Sequence, residues 1–227
     1  MPAKNKNSMD FTLMITVLIL LAIGVAMVFS ASSISSFMKY NDRYHYLKTQ
    51  GLYAILGIIA MLFFSRLDYR ILGRFSGTLV LISIILLIAV FIPGIGHTAN
   101  NATRWIKIGS QTIQPSEVAK FALIIFMARS ISNKKEKIRS FRHGVLPYIL
   151  LMGIYFVLII LEPNMSMAGN IVMITFAMLF ASGTRIIYLV GWIIPLIPAV
   201  TFIVLKKSYM LDRITSFLDP WADPLDK

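Results

Sequence analysis

Seven apolar runs, each near the length of a membrane-crossing helix, alternate with short polar stretches along the chain. A hydrocarbon core of about 30 Å is crossed by roughly 20 helical residues. By that measure the spans are Phe11–Phe29, Thr49–Phe64, Gly77–Ile92, Ser116–Ser130, Val145–Leu161, Ala168–Ala181 and Ile186–Leu205. The pattern predicts an all-α polytopic membrane bundle. One polar stretch stands out in the first half, Asn100 to Lys120, NNATRWIKIGSQTIQPSEVAK, which ends in charged residues that enter a helix. Within it Asn100–Asn101 reads as a turn. Gln114-Pro115-Ser116-Glu117 reads as a helix start, with Gln114, Ser116 or a neighbour as cap.

Composition supports this reading. The chain is 57% hydrophobic and 14% charged, far more apolar than a soluble domain. Its net charge of +12 does not point to nucleic acid, because the basic residues sit between apolar runs rather than in one aromatic-interleaved patch. There is no cysteine, which excludes disulfides, thiolate metal sites and a thiol nucleophile. His45, His97 and His143 lie in three different inter-helix stretches without ligand-like neighbours, so a histidine metal site has little support. Lys4 and Lys6 precede the first span as in a signal peptide, but no small-residue cleavage site and soluble domain follow, and the span is expected to be retained.

Lys and Arg set the orientation. With the N-terminus cytoplasmic, twelve basic residues fall inside and nine outside, and the segment Arg129–Arg142 alone holds six of the twelve. The expectation is a multi-pass membrane protein with a cytoplasmic N-terminus and the 100–120 stretch outside; the family resemblance described below implies that the membrane is the bacterial plasma membrane. Asn133–Arg142 is then a solvated inner loop. The outer basic residues either face an anionic ligand or snorkel to headgroups.

Several residues could carry chemistry. Trp105 suits the membrane interface. Glu117 and Lys120, three apart, share a helix face. They form either an ion pair that makes insertion tolerable or part of a polar cavity. An outward-facing helix N-terminus at Pro115 favours anions. Glu162-Pro163-Asn164 is expected in a short outer hairpin, with Glu162 either a base or metal ligand or, as is commoner for a carboxylate at a helix end, simply solvated. The last stretch, Asp212–Lys227, carries four aspartates, including Asp219, and two Asp-Pro steps around Trp221, which predict an extended, turn-rich segment.

NNATRWIKIGSQTIQPSEVAKFALIIFMA resembles the signature of the SEDS family (shape, elongation, division and sporulation), in which an Arg-Trp loop leads into Gln-Pro-Ser-Glu and a Lys three residues later. RITSFLDPWADPL resembles the next family landmark, and its Asp-Pro-Trp form is closer to the FtsW and SpoVE branch than to the RodA branch. Arg104, Trp105, Pro115, Ser116, Glu117, Lys120, Asp219 and Pro220 match motif positions. The resemblance implies that residues 1–227 are the N-terminal portion, about seven helices of about ten, of a single transmembrane domain. It further implies a peptidoglycan glycosyltransferase that polymerises lipid II for division or sporulation, alongside a class B penicillin-binding protein and other division or sporulation proteins. Arg104, Lys107 and Lys120 would supply the electrostatic part, with Glu117 holding Lys120, and the leaving pyrophosphate would be met by cationic groups or a divalent ion, Mg or Mn. The family's catalytic aspartate is expected beyond Lys227, so no residue here inherits that role and the chain alone is expected to be inactive. Two positions depart from the family. Asn164 stands in place of the usual Asp of Gln-Pro-Asp-Leu-Gly-Thr, so any acid–base or metal role there is absent or has passed to Glu162. Asn101 stands in place of a Gly.

Two other classes fit the same residues. A lipid flippase or transporter would use Glu117 and Lys120 as a polar patch on a helix-lined path. A membrane scaffold of the division machinery would bind partners through its basic loop and N-terminal tail.

Overall fold

The computed structural model describes residues 10–99, 102–109, 111–192, 194, 198 and 201. Two compact units divide at Tyr69/Arg70.

The first unit is a helical hairpin. Helix α1 (Phe11–Tyr40) starts on Asp10, whose carboxylate accepts from the Leu13 N–H at 3.0 Å. It continues well past the expected end at Phe29, through a serine-rich segment. These serines remain helical because their hydroxyls find carbonyls nearby: Ser32 donates to Val28 O at 2.6 Å, and buried Ser36 donates to Asp42 O at 2.7 Å. Asn41, at φ 54°, ends the helix in the left-handed conformation that asparagine tolerates. Asp42 then ties down the turn by accepting from Tyr44 N and from Lys48 Nζ, both at 2.8 Å. The Lys48 contact holds the Asp42 carboxyl below the usual carboxylate range. Helix α2 (His45–Ser65) follows. Both helices are long and apolar enough to cross a membrane.

The second unit holds the core. A short helix α3 (Tyr69–Arg74) leads into α4 (Ser76–Ala89), α5 (Pro115–Lys134), α6 (Leu146–Leu161) and α7 (Met165–Ala181). A 3-10 turn at Lys135–Arg139 and a π turn at Phe141–Val145 join α5 to α6. The apolar stretch Phe141–Leu161 is a third segment of crossing length; α4 and α7 are apolar but shorter. Residues 186–192 are again helical, and the rest of the expected seventh span lies largely outside the described residues. Tyr148, Met152, Tyr155 and Ile159 recur at three- and four-residue spacing on α6 and are buried, the stripe an amphipathic helix presents to its neighbours. They pack with Leu87, Leu123, Met127 and Ile171 from the flanking helices.

Two phenols inside this core are paired. Tyr155 OH and Ser83 Oγ meet at 2.6 Å, and Tyr148 OH donates to Ser130 Oγ at 2.8 Å. The Asn133–Arg142 connection, expected as a solvated loop, is partly packed. Lys134 Nζ donates to His143 O at 2.6 Å and lies over the Tyr148 ring, and Ile138 is buried.

The 100–120 stretch, expected as a loop, largely builds a three-stranded antiparallel sheet, in the order β1 (Gly96–Ala99), β2 (Ala102–Ile108) and β3 (Gln111–Ile113). The expected turn at Asn100–Asn101 lies outside the described residues. Gly96 packs against the end of α4 so closely that a Cβ there would fall 2.1 Å from Val90 O. Gly109, at φ 64°, makes the β2–β3 turn.

Candidate functional site

The pairing of β1 with β2 is irregular: Thr98 lies opposite Thr103 but His97 opposite Trp105, so the register skips Arg104. Ala102 and Ile106, two residues to either side of it, are buried. Lys107 lies opposite Thr112 and is exposed. Arg104 is itself half-buried at this irregularity, and a guanidinium so placed needs acceptors.

It finds them at the α6–α7 turn. Arg104 Nε donates to the Glu162 carbonyl at 3.2 Å, and a terminal nitrogen of the same guanidinium donates to the Pro163 carbonyl. These carbonyls follow the C-terminus of α6, where the helix dipole favours a cation. One side chain thus fastens the sheet to the turn between two helices. Two of the five N–H donors of Arg104 are thus engaged with main chain.

The turn itself rests on α5. Pro115 and Ser116 are buried in the first turn of α5, which is closed by the Glu117 N–H donating to Gln114 O at 3.1 Å. Asn164 is also buried. Its amide donates to Ser116 Oγ at 3.4 Å, while its carbonyl oxygen accepts from Met167 N at 3.4 Å and caps α7. Ser116 and Arg104, expected to be functional, therefore converge on Glu162-Pro163-Asn164 from two sides.

Glu162 corrects the expectation of a solvated carboxylate. It is only 1% exposed, and neither carboxyl oxygen has a hydrogen-bond partner. Burial pushes its carboxyl up to about 8, against the pull of the Arg104 guanidinium. The sequence did hold a signal for this: Glu162 continues the Tyr148, Met152, Tyr155, Ile159 stripe by three residues, so it lies on the buried side of its helix.

Glu117 and Lys120 pair with each other at 2.5 Å, as their spacing predicts. They are partly open, with side chains 53% and 28% exposed, so an anion can reach the ammonium. Asp219 lies outside the described residues. Among the described residues no cluster of three or more His, Asp or Glu forms. Glu162, a lone carboxylate beside a guanidinium, does not fit a divalent cation.

The FtsW/RodA/SpoVE family model, described as cell cycle protein, matches residues 11–227. A protein of Geobacter sp. strain M18 named probable peptidoglycan glycosyltransferase FtsW is 39% identical over 96% of this chain and 59% of its own length. Stage V sporulation protein E of Bacillus subtilis strain 168 is 38% identical over 97% of this chain and 60% of its own length. The chain thus spans about three fifths of these relatives. A chain of a peptidoglycan synthase complex, described as coordinating polymerization and crosslinking, superposes with a TM-score of 0.66 at 25% identity, covering 90% of this chain and 60% of that one. The rod shape determining protein RodA of Thermus thermophilus has the same fold, with a TM-score of 0.60 at 23% identity over 79% of this chain and 58% of that one.

Proposed function

Since the chain belongs to the FtsW/RodA/SpoVE family of multi-pass membrane proteins, we propose that it forms the N-terminal part of a peptidoglycan glycosyltransferase that polymerises lipid II. The observation that carries this reading is the 39% identity, over 96% of the chain, to a relative named for that activity. The 4-hydroxyl of one lipid-linked sugar attacks the anomeric carbon of the other substrate, the bond to undecaprenyl pyrophosphate breaks, and the hydroxyl proton passes to a base.

Within residues 1–227 the proposed contribution is binding and framing. Lys120, held by Glu117, and the exposed Lys107 attract the pyrophosphate by charge. Arg104 keeps the sheet that carries Lys107 fastened to the α6–α7 turn. The base is assigned to the remaining two fifths of the relatives' length, which residues 1–227 do not match. The N-terminus is cytoplasmic and the sheet lies outside. A class B penicillin-binding protein crosslinks the product, a reading supported by the likeness to a chain of a synthase complex that joins polymerization to crosslinking.

Full-length protein, purified in detergent and supplied with lipid II and its partner, is expected to make glycan polymer with no membrane to cross. Lys120→Ala is expected to lower the rate at least ~10-fold, the scale of one lost charge-assisted contact. Absence of polymer from wild-type protein with an active partner would refute the enzyme reading and leave a lipid transporter or a scaffold.

A further inference from the structure

Arg104 has one guanidinium and two claims upon it. Two of its five N–H donors are given to the carbonyls of Glu162 and Pro163, and in that orientation the Glu162 carboxyl beside it, 1% exposed, has no partner. This arrangement is consistent only with a neutral acid, because an ionised carboxylate left bare at that depth costs far more than an uncharged group. Among the described residues no other packed element offers relief. Ser116 from α5 and Asn164 at the start of α7 are neutral and hydrogen-bonded to each other. Glu117 and Lys120 are paired together. Tyr155, two turns back on α6, is engaged with Ser83. Arg104 is the charged group that acts on Glu162.

We propose that Glu162 is a proton-binding site whose ionisation decides which partner Arg104 holds. With the carboxyl neutral, the guanidinium clamps the two carbonyls and the sheet is fastened to the α6–α7 turn. With the carboxyl ionised, the guanidinium swings to the carboxylate, where a charged, bidentate pair is stronger than two bonds to neutral carbonyls. The carbonyls are released and the sheet loosens. The device depends on glutamate: a glutamine at position 162 has the size of the neutral acid but no proton to lose.

Infrared spectroscopy of full-length protein carrying 13C-labelled glutamate, in detergent, tests this directly. The expected result at pH 6 is a protonated carboxyl band that shifts with the label and is missing from Glu162→Gln. The band should disappear with a midpoint near 8, and in Arg104→Ala that midpoint should rise by ~1 pH unit, because an ion-pair partner has been removed. A midpoint in the ordinary glutamate range near ~4.3, or one indifferent to Arg104→Ala, overturns the proton site. Hydrogen exchange tests the change of partner. Sheet peptides should exchange equally in wild type and Glu162→Gln at pH 6, and faster in wild type at pH 9; equal rates at pH 9 overturn it. Should Glu162→Gln fail to fold, the labelled wild-type titration and its Arg104→Ala counterpart decide the matter alone. None of these readouts uses polymerisation, so failure here is separable from failure of the glycosyltransferase reading.

Discussion

At Asn164 one side chain makes two bonds that could have been made otherwise. Its carbonyl oxygen caps α7 and its amide donates to Ser116. Asp at this position would keep the cap, and Ser116 could reverse its hydroxyl to donate. Asn164→Asp is therefore expected to change the melting temperature of detergent-purified protein little. Asn164→Ala loses the cap and leaves Ser116 without its partner, at a cost of about 1–2 kcal/mol, measured by the same thermal scan. Glu162 gives stability a pH dependence with a definite sign. Its carboxyl titrates at 4.5 when unperturbed and at about 8 in the folded protein. The folded state therefore holds a proton that the unfolded chain gives up. The stabilisation is complete below the lower value, fades as pH rises and is gone above about 8. Apparent melting temperature should fall across that window in wild type and stay level in Glu162→Gln. The same residue shows why part of the site was hidden in the sequence. A lone acid at the end of an apolar run reads as interfacial when taken alone, and reads as buried only when its three-residue offset from Ile159 is weighed.

Buried pairs between elements have a direction that makes their mutants unequal. Ser83 has one hydroxyl proton, and it is given to Val80 O at 2.8 Å. Tyr155 on α6 must then be the donor to Ser83 on α4. Tyr155→Phe removes a donor and leaves Ser83 still bonded to Val80, a loss of about 0.6 kcal/mol by the average for such bonds in membranes. Ser83→Ala instead strands a buried phenol, which costs about 1–3 kcal/mol. Thermal scans of the two variants should rank them in that order, and the reverse order would mean that Ser83 donates to Tyr155. Apolar run length located the six described helices that match expected spans, but it ended α1 at Phe29 where the helix runs on to Tyr40, because the serines that follow are polar yet bond to nearby carbonyls. It missed the sheet. Strands of four and three residues are too short to show a period, and in the seven-residue β2 the register is irregular at Arg104, which interrupts the alternation a regular strand would show. Its placement also depends on Gly96, where nothing larger fits beside Val90 O.

Across the whole second unit, the ends of α5 separate two chemistries. At its start lie the sheet, Ser116 and the α6–α7 turn; at its end lie Lys134 and the basic turn Lys135–Arg139. Twenty helical residues span about 30 Å, the thickness of a hydrocarbon core, so α5 is long enough to put the two regions on opposite faces of a membrane, as the proposed topology requires. In that topology the charge of the Arg129–Arg142 segment puts the far end of α5 on the cytoplasmic face, since lysines and arginines are retained on that side. The chain has no cysteine, so one introduced thiol reports its own location without background. Lys107 and Lys137 are both exposed, one near each end of α5. In intact cells whose outer barrier has been opened, a membrane-impermeant maleimide should label Lys107→Cys fully and Lys137→Cys only after the plasma membrane is lysed. Labelling of Lys137→Cys alone would invert the topology and put the sheet, with Arg104 and Lys107, on the side away from lipid II polymerisation. Labelling of both before lysis would break the opposition of the two ends of α5, on which the placement of the site depends.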